Sequence, residues 1–201
     1  MSAVAAACAQ PEVSVEVLPP RTSITCDAPT VDDPALGSGL LDAKATAVTH
    51  GGYLADLLMV VPGENARVDG IDVKLTRDGT EVKTISNVPT GDVDLVGSKD
   101  DIRKSVVENV SLIPRDVALD FAKDSTITEL EFASILVEIA PRVLDGNVAP
   151  VSSTFALNVC NGCLVDQPPA DQCATVAKNQ VCRVGQDAPS FLCAAAATGN
   201  P

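Results

Sequence analysis

The chain has 201 residues and a formal net charge of −13, from 27 acidic and 14 basic side chains. A surface of this sign repels polyphosphates, and one Tyr, four Phe and no Trp do not make a base-stacking platform, so nucleic acid is excluded as a partner. No transmembrane helix is expected either, since the longest apolar run is interrupted by Asp56 and falls short of the roughly 18 residues that span a bilayer.

The chain begins with small apolar residues that are typical of the end of an export signal. Residues 1–11 are therefore interpreted as a signal remnant or a disordered N-terminus. In one reading Cys8 is the lipid-bearing first residue of a bacterial lipoprotein, although Ala5 stands where such signals usually have Leu. In the others, residues 7–9 form a small-x-small cleavage site, or Cys8 is incidental in an Ala-rich segment.

Alternating apolar residues predict the first strands. Residues 13–17 place Val at every second position, which is the period of a strand, and residues 23–26 form a second short extended run. The apolar stretches 43–48 and 53–61 flank two glycines and predict a hairpin.

The middle of the chain contains the strongest hairpin signal. Residues 67–76 alternate apolar and polar side chains, and Asp78-Gly79 then favours a tight turn into an extended run at 81–85. The polar, glycine-bearing stretch from Pro89 to Asp101 predicts a loop.

The second half is predicted to contain one short helix. Residues 103–112 have extended character, and Pro114 suits the first position of a helix over 114–122. Residues 127–139 fit either a bulged strand or a helix. Residues 154–159 predict the last strand of the core.

Several short strands with little helix indicate a mainly β chain, and specifically an antiparallel β-sandwich resembling an Ig-like module. The sandwich is assigned to residues 12–159, and a disulfide-rich C-terminal tail to 160–201. Hydrophobic residues make up 46% of the chain but aromatic residues only 2%, so aliphatic side chains must form the core. The predicted core contains Val15, Ile71, Val73, Leu75, Ile113, Ile135, Val137, Phe155 and Leu157.

Cysteine usage indicates an oxidising compartment. The chain has seven cysteines, and if Cys8 carries lipid, the other six can form three disulfides. These six are Cys26, Cys160, Cys163, Cys173, Cys182 and Cys193. Because five of them crowd into a tail with few large apolar residues, crosslinks are expected to replace a core there. A nearest-neighbour pairing joins Cys182 to Cys193, and the Cys160/Cys163 pair to Cys173 and Cys26.

Two other uses of the tail cysteines remain open. Cys160, Cys163, Cys173 and Cys182 offer four thiolates to zinc, although eight residues separate the last two where zinc ribbons have about two. A thioredoxin-like role for the CNGC sequence needs a helix start within a βαβ unit, and no such unit is predicted around it.

Several segments resemble uncharacterised exported lipoproteins of myxobacteria. The similarity is carried by GIDVKL at 70–75, LIP at 112–114 leading into VAL at 117–119, VSSTFALNVCNGCLV at 151–165, and CRVGQD at 182–187 followed by Cys193. It spans roughly residues 65 to 193 and is most specific around the Cys-x-x-Cys-Leu-Val sequence. The resemblance implies a cell-envelope location and no activity, and Cys26 has no counterpart in the pattern.

No catalytic residue and no cofactor are predicted. His50 is the only histidine, it lies at a predicted turn, and no Gly-x-Ser-x-Gly elbow or phosphate loop occurs. Asp92 and Asp94 are weak metal candidates, because residues 91–97 begin like a calcium loop. The pattern then fails, with Val96 at the third ligand position and Arg103 where the closing Glu should stand.

The sequence therefore favours a non-catalytic surface protein, with a binding or structural role toward a protein or glycan partner. It is expected at the outer-membrane surface, in the periplasm or outside the cell, with a possible lipid anchor at Cys8. The alternative is a secreted metal-binding accessory protein or a hydrolase that uses acidic loop residues. A third hypothesis is a component of an extracellular assembly held by exposed strand edges.

Overall fold

The computed structural model describes residues 10–21, 26–48, 52–96, 101–144, 147–166, 182–183, 186–187 and 190–191. Within these ranges, two sheets pack face to face, and the predicted mainly β sandwich is confirmed. The strands are β1 (Glu12–Val17), β2 (Ser38–Asp42), β3 (Tyr53–Pro62), β4 (Ala66–Arg77), β5 (Thr80–Leu95), β6 (Ile102–Ile113), β7 (Ala133–Val143), β8 (Ala149–Pro150), β9 (Ser153–Cys160), β10 (Val165–Asp166) and β11 (Ser190–Phe191). The helices are α1 (Ala43–Val48) and α2 (Arg115–Lys123), which pack against each other.

The strand order is β6-β3-β1-β8 in one sheet and β2-β9-β7-β4-β5 in the other. Most neighbours are antiparallel, as expected, but β1 pairs with β8 and β2 pairs with β9 in parallel, so both sheets are mixed. The strands β10 and β11 form a separate parallel pair. At one side of the sandwich the edge strands β5 and β6 lie against each other, which leaves β2 and β8 as the other two edges.

Side chains along the strands alternate between the two faces of each sheet, and those on the inner faces form the core. All the predicted core side chains are buried, with exposures of 2% or less. The turn between β4 and β5 is also confirmed, because Asp78 (φ 50°) and Gly79 (φ 75°) both adopt the positive angles of a primed turn. Helix α2 follows Pro114, which occupies the N-cap position, and Val117 and Phe121 on this helix are buried.

Two predicted elements are wrong in detail, and a third segment, which fitted either a strand or a helix, is a strand over part of its length. Residues 43–48 form helix α1 rather than a hairpin strand, because Asp42 Oδ1 accepts the backbone N–H groups of Lys44 (3.0 Å) and Ala45 (3.2 Å) and so begins a helix. The predicted loop after Pro89 is strand as far as Leu95, because β5 is an edge strand in which proline and bulges are tolerated. The ambiguous segment 127–139 becomes a strand only from Ala133.

Several predictions fall on residues outside the described ranges. They include the N-terminal segment with Cys8, most of the extended run at 23–26, His50, Cys173 and Cys193. In the described part of the chain, neither helix has the length and apolar character that crossing a membrane requires.

Candidate functional site

Four described tail residues contact the sandwich at one place, and we call them the clasp: Cys182, Arg183, Gln186 and Asp187. Cys182 forms a disulfide with Cys26, with their Cα atoms 5.4 Å apart and a sequence separation of 156. The clasp includes both ends of the CRVGQD sequence, and its side chains join the tail to both sheets.

A buried carboxylate receives the first of these contacts. Asp56 lies in β3 with its side chain fully buried, and Arg21 donates to both of its oxygens, from Nε at 2.9 Å and Nη2 at 3.0 Å. Arg183 Nη2 donates to Asp56 Oδ1 at 2.7 Å, and the Asn109 N–H donates to the same oxygen at 2.9 Å. Glu108 accepts a further hydrogen bond from Arg21.

These contacts determine the charge of the Asp56 cluster. Burial alone would raise the pKa of Asp56, but the hydrogen bonds from Arg21 and Asn109 and the charge of Arg183 outweigh it and lower the pKa below its usual value. The pKa of Arg21 is raised in turn, chiefly by its hydrogen bond to Asp56. The cluster is therefore a network of ionised groups. The sequence signal for it was a lone charge within the apolar run of β3, which in a buried strand indicates a paired partner.

Gln186 fills a gap in the hydrogen bonding of β3. Its Oε1 accepts the backbone N–H of Leu54 at 3.0 Å, and its Nε2 donates to the Leu54 carbonyl at 2.8 Å. Arg183 Nη1 donates to the same carbonyl at 3.0 Å. Leu54 lies where the β3–β6 register shifts, so these side chains bond backbone groups at an irregular point of the ladder.

Asp187 joins β2 to the core. Its backbone N–H donates to the Leu40 carbonyl at 2.8 Å, and its Oδ1 accepts the Leu40 N–H at 2.7 Å. The Tyr53 hydroxyl donates to Asp187 Oδ2 at 3.0 Å. Burial raises the pKa of Asp187 despite these hydrogen bonds, and burial together with the Asp187 charge raises the pKa of Tyr53. The clasp thus covers part of the β2 edge, which would otherwise be open to strand pairing.

An open groove of about 380 Å³ lies beside the clasp. It is lined by Pro20, Leu36, Ser38, Gly39, Leu40, Phe132, Asn158 and Asp187. Leu40 and Asn158 are direct partners in the parallel β2–β9 ladder, so the groove runs along the outer face of this sheet. Its lining combines apolar side chains with a few polar groups, which is the usual composition of a binding site.

The groove is lined by an exposed aromatic side chain, that of Phe132. Its side chain is 51% exposed, whereas the other aromatic residues with described burial, Tyr53, Phe121 and Phe155, are exposed by 5% or less. Leu136, on the adjacent strand β7, is 47% exposed and stands opposite Ala156. Apolar surface therefore continues from the groove onto the outer face of β7 and β9.

The predicted metal candidates lie elsewhere. Asp92 and Asp94 are on the edge strand β5 rather than in a loop, and both carboxylates face Arg67, with Asp94 Oδ1 3.8 Å from its Nε. A guanidinium between two exposed carboxylates competes with any cation for that position.

The predicted disulfide pairing is wrong for the cysteines that the structure describes. Cys160 pairs with Cys163, with their Cα atoms 5.9 Å apart, and Cys182 pairs with Cys26. The tight turn after β9 brings Cys160 and Cys163 together. The contacts between the clasp and the sandwich place Cys182 beside Cys26. Because Cys160 and Cys163 are bonded to each other, they offer no thiolates to zinc in this oxidised state.

Comparisons with known proteins give weak similarities only. No protein-family model matches the chain, and no curated protein matches it significantly. Among solved structures, a protein from Archaeoglobus fulgidus is 14% identical, with 55% of this chain and 84% of that chain covered and a TM-score of 0.27. A protein described as late embryogenesis abundant (LEA) is 16% identical, with 75% and 72% covered and a TM-score of 0.34. A family 123 glycoside hydrolase from Clostridium perfringens is 6% identical, with 85% and 32% covered and a TM-score of 0.32. Similarities this low assign neither a family nor an activity.

Proposed function

We propose that the chain is a non-catalytic protein of the cell envelope or the secreted fraction, and that it binds a protein partner through the groove beside β2. Two disulfides are typical of a non-cytoplasmic protein, because reducing compartments keep thiols free. The exposure of the Phe132 side chain is the observation that best supports a binding role. Half of a large apolar side chain faces solvent in a chain that otherwise buries its described aromatic rings.

The groove suits a partner that inserts an apolar side chain between Leu40 and Phe132. Ser38 and Asn158 supply hydroxyl and amide groups at the same surface, which can orient a partner's backbone. The clasp holds β2 in place through Asp187, so the groove is formed before the partner arrives. A preformed surface loses less conformational freedom on binding than a loose one.

A photocrosslinking residue placed at position 132 tests this proposal in the cells that make the protein. Val82 is the matched control, since it is 42% exposed and lies on β5, at the opposite edge of the same sheet. We expect position 132 to crosslink to one discrete protein and position 82 not to do so. Equal labelling from both positions, or no adduct from position 132, would contradict the proposal.

A second measurement separates this role from a metal-binding role that uses the acidic residues of β5. Thermal unfolding of the oxidised protein is compared with and without millimolar calcium. We expect the melting temperature to stay unchanged, because the Arg67 guanidinium already pairs with Asp92 and Asp94 where a cation would bind. A calcium-dependent rise that disappears in Asp92→Asn would favour the metal-binding alternative.

A further inference from the structure

Asp42 and the CNGC turn come together at the end of two paired strands. Asp42 is the direct partner of Cys160 in the parallel β2–β9 ladder, and the turn after β9 returns Cys163 to the same point. A carboxylate oxygen of Asp42 and the two sulfur atoms all lie within 4.8 Å of one another. This cluster is separate from the groove and does not depend on its proposed role.

The Asp42 carboxylate is held in a fixed orientation. Its oxygens accept the N–H groups of Lys44 and Ala45 at the start of α1, and those of Gly162 (2.8 Å) and Leu164 (2.9 Å) in the turn. These four bonds fix the position of the carboxylate relative to the turn. Asp42 and Cys160 are both fully buried in paired strands, which favours a rigid cluster.

A second carboxylate lies over the turn. Glu129 Oε1 is 3.2 Å from the position that a Cβ on Gly162 would occupy, and Gly162 has a φ of 101°. The open space beside it is lined by Ile127, Thr128, Glu129, Leu130 and Asn161 and has a volume of about 400 Å³. Cys163 itself is partly exposed, so an ion can reach the turn from solvent.

We propose that, after reduction, Cys160 and Cys163 bind a zinc ion together with Asp42, and that the disulfide is the oxidised, metal-free state of the same site. Zinc takes thiolate sulfur at about 2.3 Å and carboxylate oxygen at about 2.0–2.2 Å in a tetrahedral arrangement. Donor atoms already within 4.8 Å need only a small movement to meet around one ion. Water or Glu129 completes the fourth position.

The conversion between the two states is a two-electron step. A phosphine reductant and one water convert the disulfide to two thiols and become the phosphine oxide. Zinc then displaces both thiol protons, which are released to solvent. In the reverse direction a disulfide oxidant accepts two electrons from the two thiolates, the S–S bond forms again, and zinc leaves.

The test uses the full chain, reduced with a phosphine and titrated with Co²⁺, whose thiolate charge-transfer absorption reports sulfur ligation, followed by displacement with Zn²⁺. The variants are Cys163→Ser and Asp42→Asn, and Cys26→Ser is the matched control because it removes a thiol of the other described disulfide. We expect the reduced wild type and the control to bind one ion. Cys163→Ser should lose the absorption, Asp42→Asn should bind at least about tenfold more weakly, and the unreduced protein should not bind.

A measurement on the wild type alone covers the case in which a variant fails to fold. The reduced protein is alkylated with and without zinc, and each cysteine is quantified by mass spectrometry. We expect zinc to protect Cys160 and Cys163 more than the other cysteines. Protection of other cysteines instead, no protection at all, or unchanged Co²⁺ binding by a folded Cys163→Ser variant would overturn the proposal.

Discussion

Arg183 and Asp56 are 127 residues apart in sequence, yet Arg183 Nη2 donates a 2.7 Å hydrogen bond to Asp56 Oδ1 inside the protein. With Arg21 on the same carboxylate, this contact joins the segment that follows β1, the inner strand β3 and the tail. The tail and the sandwich therefore share one buried ionic network.

Replacement of Asp56 by Ala is expected to destabilise the protein strongly. The change leaves Arg21 and Arg183 without their shared carboxylate, and the loss of one partner from a buried ion pair costs about 3–5 kcal/mol of unfolding free energy. Denaturant unfolding measures this cost. Asp92→Asn is the control, because its exposed pair with Arg67 should contribute less than about 1 kcal/mol. Similar losses in the two variants would contradict the role of the network.

The same network predicts a loss of stability in acid. The pKa of Asp56 is below its ordinary value of 3.8 in the folded protein, so its contribution is fully present above that value. The contribution is lost as the pH falls through the lowered pKa, since protonation then weakens the bonds from Arg21 and Arg183. Unfolding measured from pH 5 downward should show this loss in the wild type and not in Asp56→Asn.

Asp187 predicts a pH dependence of opposite sign. Burial raises its pKa above the ordinary 3.8, so the folded protein binds this proton more tightly than the unfolded chain does. Stability is therefore lost as the pH rises from 3.8 through the raised pKa. Asp187→Asn keeps an acceptor for the Leu40 N–H and removes the charge. We expect the variant to gain stability relative to the wild type as the pH rises, and a constant difference across the titration would refute this.

The two described disulfides should differ in their contribution to stability. Cys26 and Cys182 close a loop with a sequence separation of 156, and Cys160 and Cys163 one of only 3. Loop-closure entropy predicts a loss of about 5 kcal/mol for the first and about 2 kcal/mol for the second when each is removed. Thermal and denaturant unfolding of the double variants Cys26→Ala/Cys182→Ala and Cys160→Ala/Cys163→Ala gives the comparison. A larger loss from the short loop would show that local packing dominates.

Gly39 should tolerate no side chain. A Cβ at this position would overlap the Tyr53 hydroxyl and lie 2.7 Å from Phe155 Cζ, and so would disturb the Tyr53–Asp187 hydrogen bond. Overpacking of this kind costs about 1–3 kcal/mol. Gly37→Ala is the control, since nothing lies within 4 Å of the position that its added methyl group would occupy, and its effect should stay within about 0.5 kcal/mol. Equal effects of Gly39→Ala and Gly37→Ala on unfolding would contradict the close packing at Gly39.

The sequence predicted the features that depend on local periodicity. Alternation at 67–76 identified β4 and its buried face, and Asp78-Gly79 identified the turn, because a strand repeats every two residues and a primed turn needs positive φ angles. The boundary errors have local causes as well. At residues 43–48 the N-cap of Asp42 prevailed over an apolar run, and at Pro89 an edge strand tolerated a residue that usually ends one.

Composition and local pattern were thus enough to determine a mainly β chain with an aliphatic core and cysteines suited to an oxidising compartment. The tertiary structure alone decided which distant groups meet: Cys26 with Cys182, Asp56 with Arg183, and Asp42 with the CNGC turn. The physical reason is that these contacts join chain segments far apart in sequence. Their pairing depends on how the sheets stack and where the tail returns, and no repeat along the sequence encodes either.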